Sequence, residues 1–188
     1  MCNLLVALLL LVTCFAHAET GTSPLVAKQI VSEELGAFRF ELHNRGEGPY
    51  VRGDVTQAEI SIFKGDSDKL LQKLSVEVWI ESPSFDFIDL NDDGYVDLIL
   101  YDDCAGFALC GGPTLGADVF MFAPKLGRFV RSETLSGRGE IKKSKNKGCI
   151  IADYKSGPAG YTDEEWCFNL KKGHWKMVHS SGGDPEGD

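Results

Sequence analysis

The stretch Asp89–Asp97, DLNDDGYVD, carries an oxygen-bearing side chain at nearly every second position. A hard cation such as calcium takes roughly six to eight oxygen ligands, and a loop that curls around an ion turns alternate residues inward. Counted from Asp89, the residues Asp89, Asn91 and Asp93 stand at loop positions one, three and five. Gly94 follows at six, where the sharp bend calls for a positive φ. Tyr95 at seven offers its backbone carbonyl, and Asp97 at nine adds another carboxylate. Carboxylates crowded in this way repel one another unless a cation neutralises them. The pattern therefore predicts a calcium site. The plainer alternative is an Asx-rich turn without a metal.

The loop departs from the EF-hand pattern. Position twelve is Leu100 rather than a bidentate Glu, and the flanks Phe85–Ile88 and Val96–Tyr101 are strand-like. A calcium loop at the end of a β-hairpin is expected instead, with Asp102 or Asp103 available to complete the shell.

Catalytic patterns are missing. The chain holds no GxSxG, no phosphate-cradling glycine loop and no HExxH. His43, His174 and His179 are scattered, and Glu164-Glu165 reads as one inward and one outward position of a strand. The expectation is a protein that is not an enzyme.

The first residues, MCNLLVALLLLVTCFAHA, form an apolar run closed by Ala16-His17-Ala18, which reads as a signal peptide (1–18) cleaved after Ala18. The run is short for a membrane span. A periplasmic or secreted location follows. Of six cysteines, Cys2 and Cys14 fall in that leader, leaving Cys104, Cys110, Cys149 and Cys167. An even number in an exported chain points to bridges. Local patterning favours Cys104–Cys110, closing the loop CAGFALC, and Cys149–Cys167, facing each other across a hairpin centred on Pro158. The formal charge of −9 at pH 7 argues against nucleic acid as a partner. The run Lys142, Lys143, Lys145 and Lys147, set among Gly and Ser, reads as a solvated loop.

Periodicity along the chain is mostly two. Phe38-Arg39-Phe40-Glu41-Leu42 and Ala58-Glu59-Ile60-Ser61-Ile62 alternate apolar with polar, and turn residues recur at short intervals. This predicts an all-β domain of antiparallel hairpins over residues 19–179, pairing 57–64 with 69–76, 117–123 with 128–134, 149–154 with 162–168, and the last strand with 174–178. Residues 24–35 are read as a short helix or irregular lead-in, and 180–188 as a disordered tail. No internal repeat is strong enough to predict a regular array of blades.

Several stretches together resemble a known family. AEISIFKGDSDKLLQKL, FDFIDLNDDGYVDLILYDDCAG, ADVFMFAPKLGRFVRSETLSG and GCIIADYKSGPAGYTDEEWCFNL are similar to exported bacterial proteins that include the periplasmic immunity proteins of antibacterial type IV secretion systems. Those proteins block lysozyme-like, peptidoglycan-cleaving effectors, and are similar in shape to inhibitors of invertebrate-type lysozymes. The resemblance covers about residues 56–178. It implies a single β-propeller-like or sandwich-like domain with one calcium, held by Asp89, Asn91, Asp93, Tyr95 and Asp97. It also implies inhibition by insertion of a loop into the enzyme cleft. Lysozyme inhibitors carry a Ser-Gly-x-x-Tyr signature; here Ser156, Gly157 and Tyr161 match it with one extra residue before the Tyr.

Two functions of different class are consistent with these features. One is a periplasmic calcium-binding inhibitor or immunity protein whose partner is a lysozyme-like peptidoglycan hydrolase. The other is a secreted, calcium-stabilised binding module for a polysaccharide or a surface protein. The ion loop and the 156–161 turn lie on different hairpins and are expected to act independently.

Overall fold

Alternation at period two, broken by glycine-rich turns, produces strands throughout. The computed structural model describes residues 24–44, 55–79, 83–103, 115–155 and 161–181. These contain no helix and twelve strands: β1 (Leu25–Ser32), β2 (Gly36–Asn44), β3 (Val55–Lys64), β4 (Leu70–Trp79), β5 (Ser84–Ile88), β6 (Asp97–Asp103), β7 (Leu115–Ala123), β8 (Arg128–Arg131), β9 (Ile141–Lys143), β10 (Cys149–Lys155), β11 (Tyr161–Asn169) and β12 (His174–Ser180). They form three four-stranded sheets, β1–β4, β5–β8 and β9–β12, each with its strands paired in sequence order. All pairings are antiparallel, so each sheet is a simple meander of the kind found in a propeller blade, and none closes into a barrel. The all-β expectation holds, and every predicted hairpin is present. The architectural repetition, absent from the sequence as similarity, appears as three successive meanders.

The middle sheet is buried on both faces. Because successive side chains of a strand point to opposite faces, β6 sends Leu98 and Leu100 one way and Ile99 the other. The first pair joins a core with Phe120, Phe122 and Phe129 of the middle sheet and Phe40, Ile60, Ile62 and Val76 of the first. Ile99 joins a second core with Val119, Leu135, Ile141, Ile150 and Trp175, shared with the third sheet. The architecture is thus sandwich-like in section, with two cores on either side of one sheet. The first core is aromatic: the Phe40 ring lies 5.0 Å from Phe87 and 5.6 Å from Phe129. Phe40 is fully buried, and a change to Ala there costs about 3–5 kcal/mol.

Polar ties connect the layers at their rims. The Gln72 side chain donates to the Phe129 carbonyl at 2.8 Å and accepts the Phe129 amide at 2.9 Å, so it pairs with the free edge of β8 as a neighbouring strand would. Between the second and third sheets, the Tyr101 hydroxyl accepts the Ile141 amide at 3.0 Å and donates to the Ile141 carbonyl at 3.2 Å. Burial pushes the Tyr101 phenol up to about 12. Arg138 pairs with Glu164 and stacks 4.2 Å over the Trp166 ring, while Trp166 Nε1 donates to the same carboxylate at 2.9 Å.

Two expectations are corrected. Residues 25–32 form strand β1, not a helix. Leu25, Ala27, Gln29 and Val31 turn inward, Val26, Lys28 and Ile30 turn outward, and the segment pairs with β2 from Leu25↔Leu42 to Ser32↔Gly36. Pairing to β2 satisfies the backbone of 25–32, and Glu33-Glu34-Leu35 forms the turn between the two strands. At the other end, β12 runs through Ser180, which pairs with Glu164, one residue beyond the expected boundary. The leader 1–18 and residues 182–188 lie outside the described residues.

Candidate functional site

The loop Asp89–Asp97 joins β5 to β6 in the middle sheet, as the sequence predicts, and it is built largely from its own amides. Asp89 accepts the Asp93 amide at 3.1 Å on one oxygen and the Gly94 amide at 2.9 Å on the other. Asn91 Oδ1 accepts the Asp93 amide at 3.2 Å, and its Nδ2 donates to Asp93 Oδ2 at 2.9 Å. Asp93 Oδ1 accepts the Tyr95 amide at 3.0 Å. Gly94 has φ +90°, the left-handed bend its place at position six requires. The Tyr95 ring leaves the loop and stacks on Phe122 with centroids 5.3 Å apart.

Asp97 has no exposed surface. Its two oxygens accept the amides of Leu90 at 3.0 Å and Phe122 at 2.8 Å, tying the loop's two ends together and to β7. Burial pushes its carboxyl up to about 8, although the Phe122 and Leu90 amides pull it down, and the nearby charges of Asp93 and Asp89 raise it further.

For calcium, the donor set fits in kind. Asp89, Asn91, Asp93 and Asp97 offer only hard oxygens, and a carboxylate holding one or two amides keeps lone pairs free. The grouping is less tight than a finished shell. Among the described residues no three His, Cys, Asp or Glu side chains stand clustered as metal ligands, because these carboxylates are turned onto loop amides. Asp102 and Asp103 do not complete the shell. They end β6, whose rise places them about 17–20 Å from Asp97 along the strand.

Sequence reasoning missed the partner of this loop. Asp92, at position four, is the one described non-glycine residue with a positive φ, at 56°. Its carboxylate accepts from Lys143 Nζ on one oxygen and from the Gly148 amide on the other. Lys143 first, then the Gly148 amide, hold the Asp92 carboxyl below the ordinary range. Lys143 also donates to the carbonyls of Asp89 at 2.8 Å and Leu90 at 3.4 Å. Lys143 therefore leaves the solvated run to which composition assigned it and docks on the loop. At the loop's far end the Val96 amide donates to the Val31 carbonyl of β1 at 2.8 Å. One nine-residue loop thus contacts all three sheets: the first through Val96, the second through Asp97, the third through Asp92. The loop therefore touches the root of the 149–167 hairpin at Gly148, while residues 156–160, the part of the turn from which it is expected to act independently, lie outside the described residues.

That hairpin follows the predicted register. Cys149 stands opposite Cys167, with Lys155 opposite Tyr161 at the far end. The Cys149–Cys167 disulfide closes across it with the Cα atoms 4.1 Å apart. Ser156 and Gly157, and the pair Cys104 and Cys110, lie outside the described residues. Tyr161 opens β11. Glu164 and Glu165 divide between the faces as alternation requires. Glu164 is buried against Arg138, while Glu165 accepts from Ser144 Oγ and from Asn146 Nδ2 on the outer side.

Among the described residues no helix is long and apolar enough to cross a membrane. No family model and no curated protein matches the chain. Among solved structures, the chain is similar to one described as "Structure of a Xanthomonas Type IV Secretion System related protein". The TM-score is 0.52 at 11% identity, and the match covers 85% of this chain and 87% of that one. What the two proteins share is this all-β fold.

Proposed function

We propose that the chain is an exported, non-catalytic inhibitor or immunity protein. It neutralises a lysozyme-like peptidoglycan hydrolase by inserting the 156–161 turn into the enzyme's cleft. The observation that carries this reading is the β10–β11 hairpin, paired from Cys149↔Cys167 to Lys155↔Tyr161 and bridged at its base. A hairpin fixed at its root loses little entropy when its tip is bound. The fold shared with a type IV secretion system related protein supports the setting. Acidity supports the partner class, since the formal charge of −9 speeds encounter with a cationic wall-binding enzyme.

In this reading Asp89, Asn91 and Asp93, with Asp97 and the Tyr95 carbonyl, hold one calcium. The ion supplies charge neutralisation, and the residues around it fix the loop that joins the sheets.

The deciding experiment immobilises the tagged, exported protein and challenges it with a periplasmic extract. Retention of a peptidoglycan hydrolase, and its inhibition in a cell-wall turbidity assay, supports the proposal. Retention of wall fragments or surface polysaccharide without any hydrolase overturns it in favour of a calcium-stabilised binding module.

A further inference from the structure

We propose that Asp92 couples the aspartate loop to the Cys149–Cys167 bridge, so that closure of the bridge and uptake of a divalent cation by the loop favour one another. The cation half rests on the calcium reading above; the coupling itself does not.

Asp92 is not one of the loop's alternate ligand positions. It sits between Asn91 and Asp93, and its left-handed φ is one that a short polar side chain adopts where other groups hold it. Two groups do, both from the third sheet. Lys143 belongs to β9 and pairs with Ile150 of β10. Gly148 immediately precedes Cys149, and its carbonyl accepts the Phe168 amide at 2.9 Å. Phe168 immediately follows Cys167. The bridge therefore lies one residue inside the very hydrogen bond that positions the Gly148 amide. Gly148 has φ +69°, and a Cβ there would lie 3.6 Å from the Asn91 carbonyl oxygen, which shows how closely the two loops approach.

Breaking the bridge loosens the root of the hairpin, because beyond the Cys149↔Cys167 pair β10 and β11 are joined there by the Phe168–Gly148 backbone bond, and strand ends open more readily than strand centres. As Gly148 moves away, Asp92 loses the acceptor geometry that fixed its φ. Relaxation of that angle re-aims Asn91 and Asp93 on either side. By linkage, whatever favours the closed loop must favour the closed root to the same extent.

The test uses the exported chain in bridged form, in the Cys149→Ser/Cys167→Ser form, and after reduction with excess dithiothreitol. Reduction converts the bridge to two thiols and the reagent to its cyclic disulfide. The first readout is amide exchange at Asp93 and Gly94 in chelator. The second is calcium titration by calorimetry. The expected result is exchange about tenfold faster, and calcium binding about tenfold weaker, without the bridge. In Asp92→Asn and Lys143→Met backgrounds the bridged and unbridged forms should converge in both readouts. Exchange that is indifferent to the bridge overturns the coupling even where calcium binds. Bridge-dependent exchange with no calcium uptake keeps the coupling and defeats the calcium reading alone.

Discussion

Asp97 holds the Phe122 amide at 2.8 Å from the opposite strand pair, with its second oxygen on the Leu90 amide. Each oxygen is an acceptor facing a donor. In Asp97→Asn one of them becomes an NH2 facing an N–H, and a buried amide is left unpaired. The expected loss is about 2–3 kcal/mol, read as a lower urea midpoint in the presence of chelator. An unchanged midpoint would show that the loop's ends are held by something else.

Calcium should raise thermal stability by mass action. At about a hundred times its dissociation constant, a ligand that binds only the folded chain adds ~2.7 kcal/mol. Chelator should reverse the rise, and Asp93→Ala should abolish it. A thermal midpoint indifferent to both calcium and chelator would reduce DLNDDGYVD to a self-bonded turn.

Peptide mapping without reduction should recover Cys149 linked to Cys167. With 18 residues separating them, removing the bridge should cost ~3 kcal/mol through the entropy it denies the unfolded chain. The same map decides whether Cys104 is joined to Cys110. Free thiols at Cys149 and Cys167 in exported protein would contradict the stapled hairpin.

Tyr161→Ala should weaken inhibition of the cognate hydrolase about thirtyfold, the ~2 kcal/mol of a central aromatic anchor. Wild-type and variant protein are titrated side by side in cell-wall turbidity assays, with folding checked by circular dichroism. Equal inhibition, with both proteins folded, would move the contact surface away from Tyr161.

Glu165 carries a pH signature. Hydrogen bonds from Ser144 first, then Asn146, hold its carboxyl below the ordinary 4.5 of a free glutamate. A lowered folded value means the latch contributes above about pH 4.5 and is lost as pH falls through the lower figure. The Asn146 side-chain NH2 signals should shift in that acid window, and Glu165→Gln should remove the transition.

Much of this was legible because strands with one buried face announce themselves. The alternation in Phe38–Leu42 and Ala58–Ile62 fixed two strands, and the symmetry of the segment around Pro158 fixed the Cys149↔Cys167 register. β1 was misread because its outward face carries Val26 and Ile30, which blur the alternation of an edge strand. Lys143 was invisible for a different reason. A lysine in a polar run looks solvated until the β9–β10 turn is placed against another sheet, and no local pattern reports that approach. Asp92 was passed over because ligand spacing draws attention to its neighbours. The aspartate loop was therefore readable as a composition of oxygens, but its place where three sheets meet depends on contacts distant in sequence.

The side-chain amide of Gln72 stands in for a strand against Phe129. An open sheet invites growth by addition of foreign strands, and β8 is short and lies at its sheet's rim. With its central donor and acceptor already engaged, that rim offers an incoming chain no complete ladder to copy. Gln72→Ala would leave the fold's cores intact while exposing a template, so its cost would appear less in the melting curve than in concentration-dependent aggregation.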